Sequence, residues 1–84
     1  MSYNKVAELQ SRVIIGTKQT LKAMREQEVS EVFIANDVDQ HIKDKVIQLA
    51  KELGIHYEIV DSKKKLGTAC GIDVGAATVA IKHE

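Results

Sequence analysis

Along the chain, stretches in which apolar residues return every third or fourth position alternate with short β-branched runs. Residues Tyr3–Ser11 place Val6 and Leu9 on one helical face, behind Ser2, a residue type that caps helix starts. The segment RVIIG, Arg12–Gly16, reads as a short buried strand stopped by its glycine. Thr17 then caps a second helix running to about Gln27, with no proline or glycine inside it. EVFIAND, Glu31–Asp37, is a β-branched and aromatic run and predicts a strand. Asp39 caps a third helix, in which Ile42, Val46, Leu49, Ala50 and Leu53 form one apolar stripe ended by Gly54. IHYEIV, Ile55–Val60, alternates as a strand does. Ser62 opens a short helix through three lysines, broken by Gly67 and Gly71, and ATVAIKH, Ala77–His83, makes a last strand.

This alternation predicts an α/β sandwich: a roughly four-stranded sheet with helices on both faces. The pattern leaves the strand order open. A chain of 84 residues is expected to form one domain, residues 1–84, with a modest core. No apolar run is long enough to span a membrane, and the amphipathic start MSYNKVAELQ lacks a signal peptide's apolar centre. A single cysteine, Cys70, excludes an internal disulfide and fits a reducing cytoplasm.

Charge alters the picture only where it is local. Twelve Lys and Arg balance twelve Asp and Glu, so no overall basic character points to nucleic acid. At about 100° per residue from Lys18, however, Lys22 falls at about 40° and Arg25 at about −20°, with Gln19 at the edge of the stripe. Thr20, Leu21, Ala23 and Met24 take the other side. Cations opening a helix oppose its dipole, by about 0.3–1 kcal/mol each. A nearby anion reverses that preference, and a glycine-led helix start offers free N–H groups to one. A merely solvated basic face is the competing reading.

The second constellation is LGTACGIDVGAA, Leu66–Ala77, with glycines at 67, 71 and 75. No Gly-Lys-Ser/Thr follows, so a nucleotide-phosphate loop is not indicated. A tight turn would let backbone approach a partner closely and present Ile72 and Val74 to an unpaired base. An ordinary helix-to-strand connection with Ile72 turned inward explains the same residues. Cys70 reads as a small buried thiol. His41, His56 and His83 show no metal-ligand spacing, and Asp37 and Asp39 suit turn and cap roles. No catalytic group, metal set or cofactor site emerges.

GTKQTLK, VFIANDVD and KKLGTACGIDVG, in that order from Val13 to Ile81, resemble the L-seven-Ae ribosomal-protein family, especially its small bacterial members. The resemblance implies a three-layer α/β/α sandwich with a mixed four-stranded sheet and a non-catalytic protein that binds kink-turn RNA. A kink-turn is a bent duplex with an unpaired bulge followed by tandem sheared G·A pairs. By resemblance, Lys18, Gln19 and Lys22 reach the major groove at those pairs, and Gly16 and Thr17 bring the helix start to the RNA backbone. Cys70, Gly71, Ile72, Asp73 and Val74 match the apolar loop over the bulge, while Arg25 and the lysines at 63–65, Lys64 and Lys65 among them, are phosphate contacts. Lys18-Gln19 stands where archaeal and eukaryotic relatives carry Asn-Glu, which puts base preference in question, and Gln40 replaces a common proline. Ribosomal RNA and riboswitch kink-turns are both open as targets, and a monomer is expected. The alternative from another class is a protein-interaction adapter using Ile72 and Val74.

Overall fold

The structure, a computed structural model, describes residues 2–83, with Ser2 described by its backbone only. Helix α1 (Ser2–Glu8) and a 3-10 turn (Gln10–Arg12) lead into strand β1 (Val13–Ile15). Then come α2 (Thr17–Arg25), β2 (Val29–Ala35), α3 (Gln40–Leu53), β3 (His56–Val60), α4 (Lys63–Ala69) and β4 (Thr78–Lys82). The strands form one sheet in the order β1-β4-β2-β3. Strand β4 runs antiparallel to β1 and β2, while β2 and β3 are parallel, joined by α3 as a parallel pair requires.

The strand order explains which runs are apolar throughout. β2 and β4 are central and covered on both faces, so Val32–Ala35 and Thr78–Ile81 are all buried. Successive side chains go to opposite layers. Val32, Ile34 and Ala80 join Leu21, Met24, Val46 and Ala50 beneath α2 and α3. Phe33, Ala35, Val79 and Ile81 join Val6 and Leu66 beneath α1 and α4. The molecule is therefore the expected three-layer α/β/α sandwich with a mixed four-stranded sheet.

Several local expectations shift. The run RVIIG is an edge strand rather than a buried one, and Ile15 is 37% exposed. β2 begins at Val29 and stops at Ala35, because Asn36 and Asp37 turn the chain: Asp37 Oδ1 accepts from Lys63 N at 2.8 Å. Leu53 lies 39% exposed at the end of the α3 stripe. Asp39 and Ser62 do cap their helices, accepting from His41 N at 2.7 Å and Lys65 N at 3.2 Å. The cap assigned to Ser2 involves a side chain outside the described residues. Gly67 does not break α4. It lies inside the helix, where a Cβ would meet Val74 O at 2.0 Å.

Candidate nucleic-acid interface

The start of α2 is built around a glycine no other residue would replace without strain. Gly16 has φ 108° and ψ 144°, and open space surrounds the position a Cβ would take, so conformation rather than room selects glycine. Its N–H donates to Thr78 O at 3.0 Å and its carbonyl accepts from Thr20 N at 2.9 Å. Thr17, expected as the cap, is already helical. Its hydroxyl pairs with that of Thr78 at 3.0 Å, and no side chain caps the helix. The first-turn amides of α2 are thus left without a side-chain acceptor.

The helix then sorts its residues as the sequence wheel predicts. Thr20, Leu21, Ala23 and Met24 are buried, while Lys18, Gln19, Lys22 and Arg25 are exposed. Among the described residues, no carboxylate lies within ion-pair distance of Lys18, Lys22 or Arg25. By contrast, Lys5 holds the nearly buried Glu31 at 2.5 Å and Lys65 holds Asp61 at 3.3 Å. The other lysines that pair do so off this helix.

The loop after α4 is held from several sides. Gly67 O accepts from Ile72 N at 3.1 Å, Ala76 N donates to Lys63 O at 2.9 Å, and Gln10 Nε2 donates to Ala69 O at 2.9 Å. Gly71, with φ 82°, lies against the Gln10 side chain. This fixes which apolar groups face outward. Val74 is 70% exposed, whereas Ile72 packs partly buried on the α1/α4 core, the inward of the two orientations open to it from the sequence. Cys70 is also partly buried there, and burial pushes its thiol above its ordinary value.

The loop and the helix tip meet at the sheet. Ala77 O accepts from Ala35 N at 2.9 Å, and the next residue, Thr78, is the one that anchors Gly16 and Thr17. Lys64 and Lys65 are not part of this junction. They line a groove with Tyr3, Ala7 and Thr68 between α1 and α4, on the opposite layer from α2. Sequence reasoning also missed His41 and Lys45, which share a groove with Lys18 and Arg25 because α3 packs beside α2. Only the tertiary pairing of the two helices reveals them. Elsewhere, Glu31, His56 and Glu58 bring donor atoms within 4.8 Å of one another across β2 and β3. The Lys5 ammonium there already supplies the positive charge Glu31 needs.

A small three-layer α/β/α protein with a cationic helix start at one end of its sheet, lacking a side-chain cap, is the class these features define. The chain belongs to the ribosomal protein L7Ae/L30e/S12e/Gadd45 family, whose model matches residues 1–84. It is 54% identical over 81 residues to an RNA-binding protein of Bacillus pumilus, covering 96% of this chain and 98% of that protein. It is 51% identical over 81 residues to RNA-binding protein YbxF of Geobacillus stearothermophilus, with the same coverage. Among solved structures, the Giardia lamblia 15.5kD RNA binding protein superposes with a TM-score of 0.93 at 26% identity, covering 99% of this chain and 72% of that one.

Proposed function

We propose that this protein binds kink-turn RNA as a cytoplasmic monomer and stabilises the bent conformer. The observation that supports the reading is that Thr78, which follows the loop at 70–77 and begins β4, anchors Gly16 and Thr17 at the α2 tip, joining the end of that loop to the cationic helix start. RNA binding by the relatives supports it at the level of the family.

The chemistry follows from the side chains. Lys18 and Lys22 donate to guanine O6 and N7, and Gln19 offers both a donor and an acceptor to a base edge. Free amides behind Gly16 suit a backbone phosphate. Gly71, Asp73 and Val74 lie exposed on the turn, and Val74 offers apolar surface to an unpaired base, while Ile72 and Cys70 support that turn from beneath. Arg25 contributes a phosphate contact. Lys64 and Lys65, on the other layer, add only to the general field. Because both halves of the footprint fit the bent RNA and not an extended duplex, binding draws the RNA population toward the kink.

The test compares two RNAs in a filter-binding titration: one with tandem G·A pairs intact, the other with them converted to Watson–Crick pairs. Preference for the first is expected, with Lys18→Ala and Lys22→Ala each costing about 1–3 kcal/mol on it. Equal affinity for the two RNAs would remove the proposal and favour a protein-interaction role for the same surface.

A further inference from the structure

A second cationic feature adjoins the footprint and shares Lys18 and Arg25 with it. α2 and α3 pack side by side over the same core, and the groove between them is floored by Leu21 and Ile42. Its walls carry Lys18 and Arg25 from α2 and His41 and Lys45 from α3. None of the groove-lining residues is acidic. On α3, the flanking acids make local bonds outside the groove lining: Asp39 accepts from His41 N at 2.7 Å, and Asp44 accepts from Gln40 Nε2 at 2.8 Å.

This is an uneven arrangement for a chain whose charges sum to zero. Two exposed lysines elsewhere do lie beside carboxylates, Lys5 with Glu31 and Lys65 with Asp61. In the α2–α3 groove, like charges face one another across a shallow apolar floor. Such a channel repels itself unless a polyanion runs along it, and one strand of sugar and phosphate has the matching shape: repeated negative charge outside, less polar sugar between. The groove is continuous with the tip, since Thr17 and Lys18 line both.

We propose that the α2–α3 groove is a second contact surface for the RNA backbone, holding the phosphates of one strand that runs away from the kink, with Lys45 and His41 as its contacts on α3. This rests on the kink-turn reading, and extends the RNA footprint from the tip of α2 along its whole length. The groove reads charge and shape only, so it contributes affinity without base preference.

The experiment measures binding to the kink-turn RNA, and to its Watson–Crick counterpart, over a range of salt concentrations for four proteins: parent, Lys45→Gln, His41→Gln and Lys51→Gln. Lys51 lies exposed in the last turn of the same helix, away from the groove, so its substitution removes an equal charge from α3. The expected result is a flatter dependence of log K on log salt for Lys45→Gln, by about 0.7–0.9 per lost phosphate contact. The loss should be equal on the two RNAs, with a smaller weakening for His41→Gln and no change for Lys51→Gln. Equal flattening by Lys45→Gln and Lys51→Gln would show a general charge effect and overturn the groove. No change in either would overturn it too, and the kink-turn reading would survive if Lys22→Ala still weakened binding to the G·A-containing RNA. Should poly-L-glutamate shift the amide resonances of His41 and Lys45 while RNA leaves them unmoved, the groove serves an acidic protein segment and the proposal falls.

Discussion

At the residue scale, two positions with positive φ decide how α2 begins and ends, and only one of them is glycine. Gly16 at φ 108° lies in a region open to almost no other residue, where a side chain costs about 1–3 kcal/mol. At the other end, Gln27 has φ 59°. Gln27 N donates to Met24 O at 3.0 Å and Glu28 N to Ala23 O at 3.0 Å, the paired bonds of a helix stop that usually takes glycine. The sequence places the helix end near Gln27 without marking this conformation, because glutamine carries no turn signal. Gln27→Gly relieves the left-handed strain of about 1–2 kcal/mol and loses part of it to the freer unfolded chain. A net gain of up to about 1 kcal/mol is expected in urea unfolding, and Gln27→Val should lose stability instead. The Thr17 reading failed for a similar local reason: a threonine before a helical pattern looks like a cap, yet Gly16 takes that position and Thr78 takes the hydroxyl.

At the element scale, the question is what docks α1 and the loop at 70–77 onto the sheet. Tyr3 spans from α1 to the β3–α4 junction: its hydroxyl donates to Asp61 Oδ1 and accepts from Ser62 N at 3.1 Å. That bond, followed by the one from Lys65, holds the Asp61 carboxyl below its ordinary value of 3.8. Burial, and then the Asp61 bond, raises Tyr3 above its ordinary 10.0. For Asp61, the folded value is depressed, so its contribution is present above 3.8 and lost as pH falls through the lower folded value. For Tyr3, the contribution is present below 10.0 and lost as pH rises through the higher folded one. Tyr3→Phe should therefore lower stability across the neutral plateau and flatten its acid edge, read from urea midpoints at several pH values. A variant that kept the parent's acid-edge slope would show that the bond does not couple α1 to Asp61.

The glycine inside α4 is the matching device for the loop. Replacing a mid-helix glycine with alanine normally gains about 1 kcal/mol. At Gly67 the new Cβ would meet the Val74 carbonyl at 2.0 Å, which is backbone and cannot rotate aside. Overpacking of this kind costs about 1–3 kcal/mol, so the clash outweighs the propensity gain. Gly67→Ala should destabilise the fold and weaken kink-turn binding, while an alanine on the solvated side of α4, Thr68→Ala, should leave binding close to the parent's. The alternation of helix and strand was legible because its periods differ, 3.6 against 2. The close approach of Val74 to Gly67 was not, since it joins residues seven apart through a loop whose path no local period describes. The same applies to Ile72, which the sequence leaves free to point either way and the core takes inward.

At the scale of the whole molecule, zero net charge conceals local clusters of a single sign. Lys18, Arg25 and Lys45 gather in the groove between α2 and α3, and Glu31, Glu58 and Asp61 line a groove at β3 with Lys5 among them, while each helical layer carries charges of both signs, Asp44 and Glu52 on α3 and Lys63, Lys64 and Lys65 on α4. Composition could not show this, because summing charges discards their placement. The consequence is local: a phosphate backbone is drawn to the α2–α3 groove and repelled from the acidic groove at β3, so an RNA that cannot fold against the α2 tip gains little from the protein as a whole. Discrimination then depends on the acidic residues as well as the basic ones. Glu52 and Glu58 are exposed and lie off the proposed footprint. Glu52→Lys with Glu58→Lys, a change of four charges in all, should raise affinity for plain duplex RNA severalfold at low salt while raising kink-turn affinity less. The ratio between the two RNAs should fall, and added salt should restore it, because non-specific contacts are the more sensitive to counterions. An unchanged ratio would mean that fit at the tip alone sets the preference and that acidic residues outside the footprint play no part in it.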